Sequence, residues 1–228
     1  MNRTRIEWCD YSWGPITGCK HGCWYCYAKK LTQRFPKNFP NGFEPTFYPE
    51  RLKEPWNLKK PSKIFVCSIS DLFGAWIPQG WRDQVLESIE KCPVKHTFIL
   101  LTKAPENILK TVRWARFPDN VWVGATVTTY NDIAKIEALK QVSARIKFIS
   151  FEPLLGPIIH PDRPGGIKDI YLLQGLQWII IGKLTGSRKV KLQRSWVIDL
   201  LEEARFFKIP VFLKDNLGWS EQRREWPE

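Results

Sequence analysis

The chain has 228 residues, enough for one domain with a real core. Hydrophobic residues make up 43% of it, and no stretch approaches the roughly 18 uninterrupted apolar residues of a membrane-spanning helix. Lys and Arg number 35 against 23 Asp and Glu, a formal charge of +12, which favours phosphate-bearing partners such as DNA or RNA over a membrane interior.

The first eight residues, Met1-Asn2-Arg3-Thr4-Arg5-Ile6-Glu7-Trp8, lack the apolar centre of a secretion signal, so a soluble cytoplasmic protein is expected. Short β-rich runs then alternate with amphipathic segments. The pattern predicts strands over 13–17, 63–68, 97–101, 121–127, 146–151, 178–181 and 210–213. Most are near-continuous apolar runs, as expected of parallel strands covered on both faces. Helices are predicted over 28–35, 80–91, 105–114, 132–140 and 195–206, the last with Ser195 as its cap. The proline-rich stretches 35–63 and 156–166 read as surface loops or lids. The β-α rhythm resumes after each, so residues 1–228 read as a single α/β domain. Its expected architecture is a partial (β/α) barrel of about six parallel strands rather than a doubly wound sheet.

The sharpest motif is Gly18-Cys19-Lys20-His21-Gly22-Cys23-Trp24-Tyr25-Cys26-Tyr27, a C-x3-C-x2-C triplet. Thiolates this close in sequence can converge on one soft metal, and three are one short of a full tetrahedral or cubane set. Cys9, Cys67 and Cys92 are dispersed, which fits metal binding in a reducing compartment better than a disulfide framework. One reading is a structural zinc with His21 or Cys9 as fourth ligand, inside a nucleic-acid-binding module without radical chemistry. No second C-x2-C pair stands at a distance to support it.

The other reading rests on resemblance. The cysteine spacing, with the aromatic Tyr25 just before the third cysteine, resembles the signature of the radical S-adenosylmethionine (SAM) superfamily. More narrowly, Arg5 to Asp10, Ser12 to Cys19 and Tyr25 to Ala28 resemble a phage- and prokaryote-encoded radical-SAM-like family of unassigned substrate. So do Val66 to Phe73, Leu100 to Lys103, Ser150 to Gly156 and Phe212 to Lys214. The resemblance implies a barrel of radical-SAM type and a [4Fe-4S] cluster held by Cys19, Cys23 and Cys26. It also implies SAM on the fourth iron and a one-electron reductant as partner. Reductive cleavage of SAM to a 5′-deoxyadenosyl radical is the implied activity. The substrate is not written in the motifs; DNA or RNA is expected from the charge.

In β/α barrels chemistry gathers at the C-terminal strand ends. Ser68, Ser70 and Asp71 end the second predicted strand, where related enzymes contact the SAM amino group. Thr102 and Lys103 end the third, Thr126 and Thr128 the fourth, and Glu152 the fifth. Taken singly, Ser70, Thr102 and Thr128 read as ordinary strand-end residues. Lys103 and Glu152 are sharper, because a charge straight after an apolar run exits into the barrel mouth, where the two are expected to pair with each other or with ligands. The sixth strand departs from the family's Gly-Gly-Glu-Ser-Gly, running Gly182-Lys183-Leu184-Thr185-Gly186. Gly182 and Gly186 keep the close backbone approach that adenine or ribose would need, Leu184 replaces the family's acidic residue, and Lys183 beside it joins Gly182 as a candidate cofactor contact. The basic segment 185–194 that follows, and Lys29, Lys30 and Arg34 after the cysteines, are candidates for phosphate contact.

Overall fold

The computed structural model describes residues 1–112, 114–159, 171–186 and 190–228. Its ten strands are β1 (Asn2–Arg3), β2 (Tyr11–Trp13), β3 (Ile16–Thr17), β4 (Thr46–Phe47), β5 (Lys63–Val66), β6 (Thr97–Thr102), β7 (Val121–Thr126), β8 (Ile146–Leu154), β9 (Trp178–Lys183) and β10 (Val211–Leu213). Five α-helices accompany them: α1 (Tyr27–Arg34), α2 (Gln79–Glu90), α3 (Ile108–Thr111), α4 (Ala134–Lys140) and α5 (Arg194–Phe206).

Eight strands form one sheet in the order β1-β2-β5-β6-β7-β8-β9-β10. All of its pairs are parallel except β1 with β2. The order never reverses, so it lacks the switch point of a doubly wound sheet. β1 and β10 remain its two edges, and the sheet is open.

Alternation along the strands sorts the apolar residues onto two faces. Phe98 and Leu100, Val123 and Ala125, Ile149 and Phe151, Ile179 and Ile181 join Val85, Ile89, Ile136, Leu139, Val197 and Leu200 of the helices in one cluster. Phe65, Ile99, Trp122, Phe148, Trp178, Ile180 and Phe212 point the other way and pack with Trp8 and Cys9. Trp8 alone touches Phe65 on β5, with ring centroids 4.8 Å apart, and Trp178 on β9, at 6.4 Å. In a flat sheet those two strands would lie about 19 Å apart. The sheet therefore curls around this aromatic filling, which residues 6–9 and Trp226 cover.

Several sequence expectations shift. The first strand is shorter, because Pro15 offers no N–H to the ladder; Ile16 and Thr17 leave the main sheet and pair with β4. The helix expected over 105–114 is a 3-10 turn at Pro105–Asn107 followed by the four residues of α3. Ser195 does not cap α5, which begins one residue earlier with Gln193 at the cap position. The helix expected over 132–140 begins as a 3-10 turn at Tyr130–Asp132 and continues as α4. Among the described residues the parallel strands number seven, against about six expected. Most of the loop expected over 156–166, and Ser187, Arg188 and Lys189 of the basic segment, lie outside the described residues. No helix among the described residues is long and apolar enough to cross a membrane.

Candidate functional site

The three motif cysteines occupy the loop between β3 and α1, at the end of the sheet where the parallel strands finish. Two contacts fix the start of that loop. Gly18 N–H donates to the Ile69 carbonyl at 3.1 Å, and Ser70 Oγ donates to the Gly18 carbonyl at 2.7 Å. Gly18 has φ +82° and lies so close to the 43–44 backbone that a Cβ would stand 2.3 Å from the Glu44 oxygen, so only glycine fits. Cys19 N–H then donates to the Phe43 carbonyl at 3.1 Å. Cys26 caps α1, its Sγ accepting from Lys29 N–H at 3.4 Å.

Asp71 is the hub that joins the loop to the strand ends. It is buried, and each carboxylate oxygen accepts two hydrogen bonds. Oδ1 takes Phe73 N–H at 3.0 Å and Thr102 Oγ1 at 2.7 Å. Oδ2 takes Lys103 N–H at 2.8 Å and pairs with His21 Nε2 at 2.7 Å. Burial pushes the Asp71 carboxyl upward, but the bonds from His21, Lys103 and Thr102 outweigh it and hold the group below its ordinary value. Buried Arg82 secures the same segment by donating to the Leu72 and Ile77 carbonyls at 3.0 and 3.2 Å.

The remaining strand ends face the loop in turn. Tyr27 Oη donates to the Ser68 carbonyl at 2.8 Å, and Ser68 Oγ shares a hydrogen bond with Ser12 Oγ. Lys103 Nζ lies 5.9 Å from the centroid of the Tyr25 ring. Burial raises the Tyr25 phenol, helped by Cys23, Asp132 and Cys26 close by. Thr126 is buried at the end of β7, whereas Thr128 donates through N–H and Oγ1 to Asp132 Oδ2 at 2.9 and 2.7 Å. The Lys183 backbone is clamped both ways by the Asn216 amide, at 3.2 and 3.0 Å.

The expected pairing of Lys103 with Glu152 is corrected. Glu152 pairs with Lys214, the residue after β10, and Lys214 also approaches Glu7 at 4.0 Å. Gly182 lies beneath this pair, since a Cβ there would stand 3.0 Å from Lys214 Cδ and 3.2 Å from Glu152 Cγ. Lys214 obeys the same sequence rule as Lys103, a charge straight after an apolar run, and was discoverable by it. Glu7 and the His21–Asp71 contact carry no such local signal.

All six cysteines are free thiols. Burial pushes the Cys19 thiol up to about 11, opposed by the His21 backbone N–H and reinforced by Asp71, Cys23 and Cys26. Cys67, at φ +56° and fully buried, is pushed up by desolvation to about 12. Among the described residues no three His, Cys, Asp or Glu side chains converge as a metal-binding group. The donor chemistry nonetheless fits a soft cation: a buried thiol such as Cys19 becomes a thiolate once a cation shares its charge. His21 is engaged by Asp71 and stacks edge-on against Trp76 at 4.7 Å, and Cys9 belongs to the aromatic cluster. No curated protein and no solved structure matches the chain. A family model described as Protein of unknown function (DUF5131) matches residues 3–226, nearly the whole length, and the chain belongs to that family.

Proposed function

We propose that the protein is a radical SAM enzyme working in the reducing cytoplasm, with Cys19, Cys23 and Cys26 as ligands to a [4Fe-4S] cluster. The observation that carries this reading is the placement of the three-thiol loop over the C-terminal strand ends, tied there by His21–Asp71 and Tyr27–Ser68. The curled sheet with strands in sequential order supports the partial barrel that this reading expects. When bound and reduced by a one-electron partner, the cluster supplies the electron that cleaves SAM to a 5′-deoxyadenosyl radical.

The chain's own residues have separable tasks in this reading. Asp71 is a positioning residue: its oxygens are fully used in holding His21, Phe73 and the start of the 103 loop, so the acceptor for the SAM amino group falls to the backbone of 68–70, where the Ser68 and Ile69 carbonyls already take one bond each, from Tyr27 and Gly18. Tyr25 and Lys103 wall the β6 side, Thr126 the β7 side, and the Glu152–Lys214 pair over Gly182 the β8–β10 side. The Glu152 and Lys214 charges suit the polar ends of SAM or its substrate, and the surrounding aromatics limit water.

The rival structural-zinc reading has less support, because its fourth ligand would have to be His21 or Cys9, and both are engaged elsewhere. Anaerobic purification with iron and zinc analysis, followed by a dithionite-reduced assay for 5′-deoxyadenosine, tests the proposal. About four irons per chain with deoxyadenosine release is the expected result. One zinc and no iron would overturn it.

A further inference from the structure

From residue 11 to residue 43 the chain contains no Asp or Glu, yet it carries Lys20, Lys29, Lys30, Arg34 and Lys37. Only Lys20 of these is paired among the described residues, with Glu44 at 3.0 Å. The other four project from α1 and the turn after it, exposed. The +12 balance of the whole chain is thus concentrated, in part, on one small element.

The same element is rich in aromatic surface. Trp24, Tyr27 and Phe35 are 52%, 59% and 44% exposed, and the Arg34 guanidinium lies 5.5 Å from the Phe35 ring centroid. Between α1 and the 36–43 turn runs an open cleft of about 380 Å³, lined by Lys29, Gln33, Pro36 and the half-buried Phe39 and Phe43 among others; Trp24, Tyr27 and Phe35 stand outside its lining. That volume is in the range of small-molecule sites. The cleft is also next to the cysteines: Lys29 N–H bonds Cys26 Sγ, and the Phe43 carbonyl takes Cys19 N–H.

We propose that this cleft holds one nucleotide of a single-stranded nucleic acid, with the flanking phosphates following Lys29, Lys30, Arg34 and Lys37. Aromatic faces beside unpaired cations are the two elements of single-strand binding: stacking that any base can satisfy, and a charged track for the backbone. The Gln33 amide offers a donor and an acceptor to a base edge. A base must leave its stack to enter such a cleft, so a duplex is a poor ligand. As a substrate class for the radical chemistry the inference rests on the function proposed above; as a binding site it stands by itself.

The test is fluorescence polarisation with labelled oligo-dT and oligo-U of about 12 nucleotides, within the site sizes of single-strand binders. A duplex of equal length is the comparison, and the full chain is purified anaerobically and assayed without SAM or reductant. Single strands are expected to bind at least tenfold tighter than the duplex. The double variant K29E/R34E should weaken binding by at least about tenfold and reduce the slope of log K against log salt by about 1.4, at about 0.7 per lost phosphate contact. F39A should weaken it about tenfold with the slope unchanged, and K110E, on the exposed face of α3, by less than about twofold. Thermal unfolding of each variant separates loss of binding from loss of fold, and the exposed K29E/R34E keeps the test valid if F39A unfolds. Equal binding of DNA and RNA assigns recognition to phosphate and base, while a preference adds the sugar; both uphold the site. The inference is overturned if K29E/R34E binds like the parent, if K110E weakens binding equally, or if the duplex binds as well. SAM cleavage without oligonucleotide binding would sink the cleft and leave the radical enzyme standing; binding without iron would do the reverse.

Discussion

His21 Nε2 and Asp71 Oδ2 meet at 2.7 Å although 50 residues separate them in sequence. This contact pins the cysteine loop to the strand ends, and it is only one of four bonds on a buried carboxylate. D71N keeps the shape but must turn an NH₂ toward one pair of donors, leaving them unmet. A loss of about 2–3 kcal/mol at neutral pH is expected. Because the folded-state carboxyl is held below 3.8, its contribution is full above that value and disappears as the pH falls through the lower folded value. Urea unfolding of both proteins at pH 7 and near pH 3 should show the gap narrowing in acid; a constant gap would contradict the assignment.

Replacing Cys23 by Ala removes one of the three proposed cluster ligands without disturbing the core, since Cys23 is only half-buried. Iron content should fall to background and deoxyadenosine formation should stop, while the far-ultraviolet circular dichroism stays like the parent's. Full iron in this variant would remove Cys23 from the ligand set.

The Glu152–Lys214 pair depends on the missing side chain at 182. In G182A the new methyl must displace either Lys214 or Glu152. K214M leaves Glu152 without its cation and Glu7 with Arg224 alone, at 3.7 Å. Both variants should fold, with stability reduced by about 1–3 kcal/mol, and both should lower deoxyadenosine formation at least tenfold. Unchanged rates in the two would place this pair outside the site.

Gly124 on β7 lies under the Phe148 ring, and a Cβ there would stand 2.4 Å from it. G124A should therefore cost about 1–3 kcal/mol by overpacking. The double variant G124A/F148L should recover part of the loss, because the two positions share one space. Additive losses in denaturant unfolding would show that the ring and the glycine are not coupled.

The buried strands were legible because parallel β-runs covered on both faces leave little room for polar residues; 97–101 and 178–181 fall inside β6 and β9. The cysteine triplet stood out by its spacing, and all three thiols lie in the one loop that leads into α1. The strand-end rule located Lys103 and Glu152 but not their partners, since alternation along a strand says nothing about which distant loop meets its end. Pro15 was the missed local cue, a residue without N–H that splits the first strand. The curl of the sheet was expected from the count of β-α units, but what holds it was not: Trp8 lies outside any strand and touches two strands far apart in sheet order.

That aromatic filling also sets a timetable. Trp8 is covered by Trp226, whose indole N–H reaches the Trp8 carbonyl across 218 positions of chain, and Glu7 accepts from Asp215 N–H across 208. During synthesis the aromatic side of the sheet must wait, uncovered, until residues 215–226 have been made. Contacts of such long separation form slowly, so refolding followed by quenching at Trp226 should report the slowest step. Chains halted near residue 205 should be captured by chaperones through the waiting face.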